Sequence, residues 1–465
     1  MTRYIGAILA LIICFAIPKD SYANDTLYLE KYLEIVLDYH PLIQKANIND
    51  EISEALLQKG RGALDPKVYS DFDKKQFSDT DYFTVWQSEA KVPTSLPIDF
   101  SVGYERNDGT FLNNENTVPT NGLVYGTINL SLLRGLLFDE QRYNIQSAEV
   151  KGLKSQIEKE ILIREIIFQA ANSYLEWVSK RNTLDINEAF LQLIRERHQN
   201  VIQLFENGDS PAIDTLESRL NINSAEKLLL ESKAQWVKAR QNLSLFIWDD
   251  QGQALQINND IRPMSLVALV NSLRVLSTIT NPNFIEDPLI AKIDNEIKSI
   301  ELDTKLEKEN LKPQLDLKYN TILNLGKDNL NPTFTFNDYK YGVAFQYPIL
   351  NRKSKGQLRI NQALSSQNEL DKVQYLGQLN NKFLALVSQE EVYEELLFVT
   401  NEKTTNSQLL YEAEKLKFEL GESSVFLLNK RELKLLEAQT DLIKSYISLG
   451  KIFIELYYLK LGQGK

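Results

Sequence analysis

One cysteine and two histidines are all that 465 residues provide as thiols and imidazoles. His40 abuts Pro41 and His198 stands alone in a charged helical stretch, so neither has the neighbours that make a metal site or a general base. No Gly-x4-Gly-Lys-Ser/Thr phosphate loop occurs, because Gly326-Lys327 and Gly450-Lys451 lack the preceding glycine. The acidic pairs Glu390-Glu391 and Glu394-Glu395 fall on the polar face of a long helical stretch and read as solvated charge. These absences argue against an enzyme: no catalytic residue, metal or cofactor is expected.

Beyond residue 23 no run approaches 18 apolar residues, which excludes a membrane-spanning helix there. Residues 1–23 are different. Arg3, the apolar run Ile5 to Ile17 and Ser21-Tyr22-Ala23 form a secretory signal pattern, with Asn24 expected as the first mature residue. Lipid attachment at Cys14 fits less well, since Ile13 is bulky and cleavage there would halve the apolar segment. Cleavage after Ala23 removes Arg3, Lys19 and Asp20, taking the net charge from −11 to −12 and leaving no cysteine. An acidic chain is a poor nucleic-acid partner, and one without cysteine needs no disulfide. Outside the cytoplasm, such a chain is either soluble or crosses a membrane by strands.

Proline and glycine are also scarce where it matters. The 69 residues from Asp139 to Asn207 hold no proline and one glycine, Gly152. Ile163, Ile166, Ile167, Ala170, Tyr174, Trp177 and Val178 recur at helical spacing. One helix of that length is about 100 Å long, too long for a compact core, so it must lie along equally long partners. Arg352 to Leu420 repeats the pattern. Asp209 to Trp248 and Ser423 to Leu461 read as shorter return helices, with helical stretches from Leu27 to Lys59 and Phe284 to Asn310 making up the deficit.

The order is written twice. His40-Pro41-Leu42-Ile43 and Asp287-Pro288-Leu289-Ile290 each precede a second proline by 25 residues, at Pro66 and Pro313. Strand-like patterns follow, reaching Tyr125-Gly126 and Tyr341-Gly342. From those glycines to the turn glycines Gly208 and Gly421 is 82 and 79 residues. An internal duplication accounts for this order, with residues 24–262 as the first repeat and 263–465 as the second. The proline to Tyr-Gly interval is 59 in one half and 28 in the other, so about 31 extra residues sit in the first strand region.

Gln314 to Asn320, Tyr341 to Tyr347 and Thr127 to Leu132 alternate strictly between apolar and polar. Polar stretches, Asn107 to Asn121 and Gly326 to Asn337, suit external loops. Alternation by itself fits a small soluble sheet equally well. Two hairpins supply four strands, and Tyr82 to Val92 with Pro97 to Arg106 would add two. Even six is fewer than the eight of the smallest bacterial barrels, and an open edge in hydrocarbon leaves backbone groups unpaired. A membrane barrel would therefore have to be shared among protomers.

Pro41/Pro66, Pro288/Pro313, Leu132-Leu133-Arg134-Gly135 with Gln141-Arg142-Tyr143-Asn144-Ile145, its weaker counterpart Pro348-Ile349-Leu350-Asn351, Tyr174-Leu175 and the Gly208 and Gly421 turns together resemble the TolC-like outer-membrane channel family, over essentially the whole mature chain. The resemblance implies an α+β, mainly α, fold: a long helical coiled-coil barrel continuous with an oligomer-shared transmembrane β-barrel. It implies a homotrimer in the outer membrane of a Gram-negative bacterium, extending into the periplasm, each protomer giving four strands to a twelve-stranded barrel. The implied partners are outer-membrane lipid, a periplasmic membrane-fusion adaptor and an inner-membrane transporter, either ABC-type or proton-driven, in drug efflux or type I secretion. The alternative is a soluble periplasmic coiled-coil adaptor or scaffold.

The turn glycines mark tight helical hairpins, with Ser210-Pro211 and Ser423 as caps of the returning helices. Gly208, Asp209, Asp214, Gly421, Glu422, Lys430 and Arg431 are the candidate gate or docking residues. In a closed trimer each charge among them forms a ring; the alternative is a solvated helix-end charge, and acids are favoured in a helix's first turns anyway. In the family, acidic residues six and nine positions past the second glycine line the periplasmic aperture. Here those positions are Leu427 and Lys430, while Asp214 keeps the first-half acid.

Overall fold

The computed structural model describes residues 26–258, 261–279, 282–324 and 337–463. The expected signal segment with Cys14, and all but the last residue of the Gly326 to Asn337 loop, lie outside these. Eight α-helices are described: α1 Leu29–Tyr39, α2 Pro41–Arg61, α3 Glu140–Glu206, α4 Ala212–Ser244, α5 Leu266–Ser277, α6 Pro288–Asn310, α7 Arg352–Glu419 and α8 Val425–Leu461. Strands β1 Thr26–Leu27 and β6 Arg262–Pro263 form a short parallel pair. The others are β2 Lys67–Phe77, β3 Thr80–Val92, β4 Ile98–Asp108, β5 Leu123–Ser131, β7 Gln314–Asn324 and β8 Tyr339–Gln346.

The stretch expected as one helix from Leu27 to Lys59 is two. Pro41 lacks an amide donor and holds His40 in an extended conformation, at ψ 128°. Buried His40 fills the break: its Nδ1 accepts from the Leu42 amide at 3.2 Å and its ring stacks on Phe246. The long helices α3 and α7 have 67 and 68 residues, close to the lengths the sequence suggests.

The chain divides into two compact units. The first, comprising the described residues up to Gln44 with Ile163–Pro282 and Asn381–Gly462, is helical. Tyr32, Tyr174 and Trp177 are fully buried, with ring centroids 5.4 and 5.7 Å apart in sequence. The Tyr174 hydroxyl donates to the Leu27 carbonyl at 2.5 Å, tying the β1–β6 pair to α3. Helix α5 packs on α8. Gly450 lets α8 approach α3, since a Cβ there would lie 3.0 Å from a Leu175 methyl.

The second unit comprises Lys45–Leu162, Asn283–Asn380 and the last described residue. Here α2 lies on α3 so closely that a Cβ on Gly60 would fall 2.4 Å from that of Ala148. On α6, Asn295 donates to the Val150 carbonyl at 3.0 Å and Asp303 accepts from Tyr143 at 2.6 Å. The Leu132-Leu133-Arg134-Gly135 motif is the turn from β5 into α3. Gly135 takes φ +86°, Asp139 accepts from the Arg142 amide at 2.8 Å, and the Arg142 guanidinium donates to the Gly135, Leu136 and Leu137 carbonyls.

The six long strands form one antiparallel sheet in the order β2-β3-β4-β5-β7-β8. Four come from the first strand region and two from the second, so β5 to β7 joins them. The sheet thus holds two strands more than the four that the resemblance implies each protomer gives to a barrel, and the 31 extra residues extend it by a hairpin. Ser78 and Asp79, at φ 52° and 59°, form the two-residue turn between β2 and β3, with the double positive φ that matches strand twist.

Candidate functional site: an inverted sheet and two helical tips

Cross-strand partners share a face of the sheet, so the registers sort its residues. One face carries Val68, Phe72, Trp86, Ala90, Phe100, Val102, Ile128, Leu130, Leu317, Tyr319, Tyr341, Val343 and Phe345. The other carries Asp71, Asp73, Gln87, Glu89, Lys91, Ser101, Glu105, Thr127, Asn129, Asp316, Lys318, Asn320 and Lys340, with Phe83, Val85, Leu123, Tyr125 and Ile322 interspersed.

Burial is the reverse of a soluble sheet. Val102, Phe72 and Phe345 are 61%, 64% and 67% exposed, whereas Ser101 and Thr127 are 6% and 3% exposed. The exposed apolar patch spans all six strands, far more than the scattered surface hydrophobes of a soluble monomer. The same face also carries polar side chains, Lys74 and Arg106 among them near its β2–β3 turn end; deeper in it, Trp86 Nε1 donates to Ser70 Oγ at 3.1 Å, and that hydroxyl lies 2.8 Å from Ser88 Oγ. On the opposite face Gln87 donates to the Tyr125 hydroxyl at 2.8 Å and Ser131 to Asp316 at 2.9 Å. Gly103 is required there, because a Cβ would fall 2.2 Å from the Tyr125 ring. A sheet with one apolar, solvent-exposed face and one face rich in charged and polar side chains is suited to lipid on the first and water on the second.

The two helical tips lie in the first unit. Gly208 at φ +85° and Gly421 at φ +75° each follow a long helix. The Asp209 amide donates to the Leu204 carbonyl at 2.8 Å and the Gly208 amide to that of Phe205 at 3.0 Å; the Glu422 amide donates to the Lys417 carbonyl at 2.8 Å and the Gly421 amide to that of Phe418 at 3.1 Å. Both are Schellman turns, which need a left-handed residue and so favour glycine. Ser210 donates to Asp214 at 2.7 Å. The cap of α8 is Ser424, which accepts from the Leu427 amide, and not Ser423 as the sequence suggests. The turn takes up Gly421 and Glu422, and Ser423 then points back to donate to Glu414 at 2.5 Å. The Ser423 hydroxyl and then Arg431, 3.4 Å from the same carboxylate, hold the Glu414 pKa below its usual value. Asp209, Glu422 and Lys430 are exposed, and Asp214 and Arg431 are half-buried.

The strongest electrostatic feature near the tips is one the sequence does not single out. Arg197 on α3 and Glu432 on α8, 4% and 2% exposed, form a direct ion pair, and Asn429 accepts from Arg197 at 3.3 Å. Burial pushes the Glu432 pKa up to about 7 although Arg197 opposes the shift. Burial likewise raises that of Tyr411 to about 12, with the Glu432 charge adding to it. Tyr411 packs with Leu428 and Leu435, against Leu193 and Phe418. A neighbouring cluster of Phe190, Leu191, Ile194, Ile222 and Ala225 packs α3 on α4.

His198 Nδ1 lies 2.7 Å from Ser218 Oγ. Among the described residues no group of three or more His, Cys, Asp or Glu side chains is placed to hold a metal ion, and no helix is long and apolar enough to cross a membrane.

Solved structures share this architecture. The Vibrio cholerae outer membrane protein VceC superposes with a TM-score of 0.65 at 14% identity, over 94% of this chain and 96% of its own. The open state of the Neisseria gonorrhoeae MtrE outer membrane channel gives 0.67 at 12%, over 96% and 94%. The Campylobacter jejuni CmeC outer membrane channel gives 0.64 at 12%, over 96% and 94%. No family model and no curated protein matches the chain. The chain therefore has the mainly helical α+β fold of these outer-membrane channels.

Proposed function

We propose that this protein is an outer-membrane channel of a Gram-negative bacterium, a passive export duct that extends into the periplasm and works in a multi-component efflux or type I secretion system. The observation that carries this reading is the inverted sheet, whose exposed apolar face would be costly in water and is favourable against lipid. Six strands fall short of the smallest bacterial barrel, so protomers share one, and we take the assembly to be a homotrimer. Exposed apolar side chains on α7, among them Leu384, Val387, Phe398 and Leu409, fit helices that also pack against further copies. The two-repeat organisation is supported by element order, α2-strands-α3-α4 followed by α6-strands-α7-α8.

In this reading the tips at Gly208 and Gly421 face a periplasmic membrane-fusion adaptor and an inner-membrane transporter, and the duct itself catalyses nothing. Fractionation tests it. The protein is expected to remain with outer-membrane fragments through high salt and to be released only by detergent. A soluble adaptor or scaffold would wash off. At the gate, Lys430 replaces an acid, and three exposed copies of it would disfavour cations. Lys430→Glu is expected to shift the reversal potential of the reconstituted channel toward cation selectivity, whereas an unchanged potential removes Lys430 from the constriction.

A further inference from the structure

Among the described residues the edges of the six-stranded sheet, β2 and β8, are unpaired, and every residue of both is exposed. Neither contains proline, so each presents a full row of backbone donors and acceptors. In hydrocarbon such an edge must be paired.

The registers fix how far the strands are staggered. One row of partners runs from Lys67 through Lys91, Ser101, Thr127 and Asn320 to Lys340. It enters at the first residue of β2 and leaves at the second residue of β8, six positions before Gln346. Spread over the five steps of this row plus one step to a neighbouring copy, a six-residue stagger, at ~3.3 Å per residue and ~4.8 Å per step, corresponds to a strand tilt of about 35°, at the lower end of the range for closed barrels.

Resting on the channel reading above, we propose that a second copy of this chain occupies the edge: β8 pairs antiparallel with β2 of the next copy, with Gln346 opposite Lys67 and Lys340 opposite Asp73. This alignment repeats the six-residue stagger at the joint and leaves no part of β8 unpaired. It also keeps both faces consistent. Tyr341 meets Phe72 and Phe345 meets Val68 on the apolar side, while Lys340 and Asp73 bring opposite charges together on the polar side. A one-residue slip would turn every side chain to the wrong face. A two-residue slip in one direction sets Lys340 against Lys75, and in the other leaves an overhang.

The extra hairpin is thus part of the membrane wall. Three copies of a six-stranded sheet make eighteen strands rather than the twelve of four-stranded protomers. The backbone diameter becomes about 33 Å, against about 22 Å for twelve strands at the same tilt.

The test is disulfide trapping in native outer membranes, using the full chain with Cys14→Ser. Asp73→Cys with Lys340→Cys is expected to give, on mild oxidation, covalent dimers and trimers in denaturing gels, with neither single variant exceeding a dimer. Should Ser101→Cys with Ala344→Cys cross-link instead, β8 joins β4 and the β2–β3 hairpin stands outside the wall, which overturns the proposal. Absence of both cross-links in protein that still fractionates with the outer membrane and conducts overturns it too. Protein missing from the outer membrane overturns the channel reading, and this joint with it. A second variant set guards against loss of folding: Asp73→Lys and Lys340→Asp are each expected to lower the temperature at which the detergent-resistant oligomer dissociates, and the double exchange to restore it. No effect of either single change contradicts the joint.

Discussion

Glu432→Ala is expected to destabilise the tip-proximal packing of α3 on α8 by about 3–5 kcal/mol, because it strands the Arg197 guanidinium in a buried site without the acceptor that the carboxyl supplies in either protonation state. Arg197 Nε and Nη2 already lack hydrogen-bond partners among the described residues, and Asn429, a neutral acceptor at 3.3 Å, supplies the hydrogen bond left to it. The cost lies in the orphaned charge and not in the value of the pair. Arg197→Met with Glu432→Leu should therefore recover most of the loss, as apolar replacement of buried ion pairs does elsewhere. Amide hydrogen exchange across Leu193 to Val201 and Leu428 to Leu435 measures the effect. Equal loss in the single and double variants would show that packing volume, rather than charge, holds this site.

The same carboxylate makes the region sensitive to pH. The Glu432 pKa is raised, to about 7, so between its unfolded value of about 4.5 and 7 the folded state binds more protons than the unfolded one. Its contribution is most favourable below about 4.5 and is lost as pH rises through 7. His198, whose pKa burial lowers, acts in the opposite direction, with stability falling as pH drops. Comparing wild type with Glu432→Gln isolates the first effect. Protection corrected for intrinsic exchange should fall with rising pH in the wild type and lose that component in the variant.

The second large effect belongs to the sheet. Val102, 61% exposed at the middle of β4, is a harmless place for arginine if its face meets water, where such changes fall within about 0.5 kcal/mol. If that face meets lipid, Val102→Arg costs about 2–4 kcal/mol in every copy and should sharply reduce the detergent-resistant oligomer recovered from outer membranes. Asn129→Lys, on the polar face, is the matched control and should leave recovery unchanged. Equal recovery of both variants would mean that the apolar face does not contact lipid.

Much of this architecture is legible in the sequence because long helices write their period many times over. The α3 and α7 boundaries follow from the absence of proline and from glycines that only a left-handed turn requires. The sheet is harder. Strand β2 reads Lys-Val-Tyr-Ser-Asp-Phe-Asp-Lys-Lys, and its charged face hides the Val68, Ser70 and Phe72 alternation that becomes evident once Trp86 is seen opposite Phe72. Ser424 is missed as a cap because the preceding serine has the same chemistry, and only the length of the Schellman turn decides between them. The Arg197–Glu432 pair is invisible for a different reason. Its members lie on different helices, and each resembles the solvated charges around it until α8 covers both.

Conductance across a planar lipid bilayer tests the central claim most directly. Purified oligomer is expected to insert and give discrete, long-lived single-channel steps, with detergent required throughout purification. A stable, water-soluble monomer that produces no steps would contradict the account.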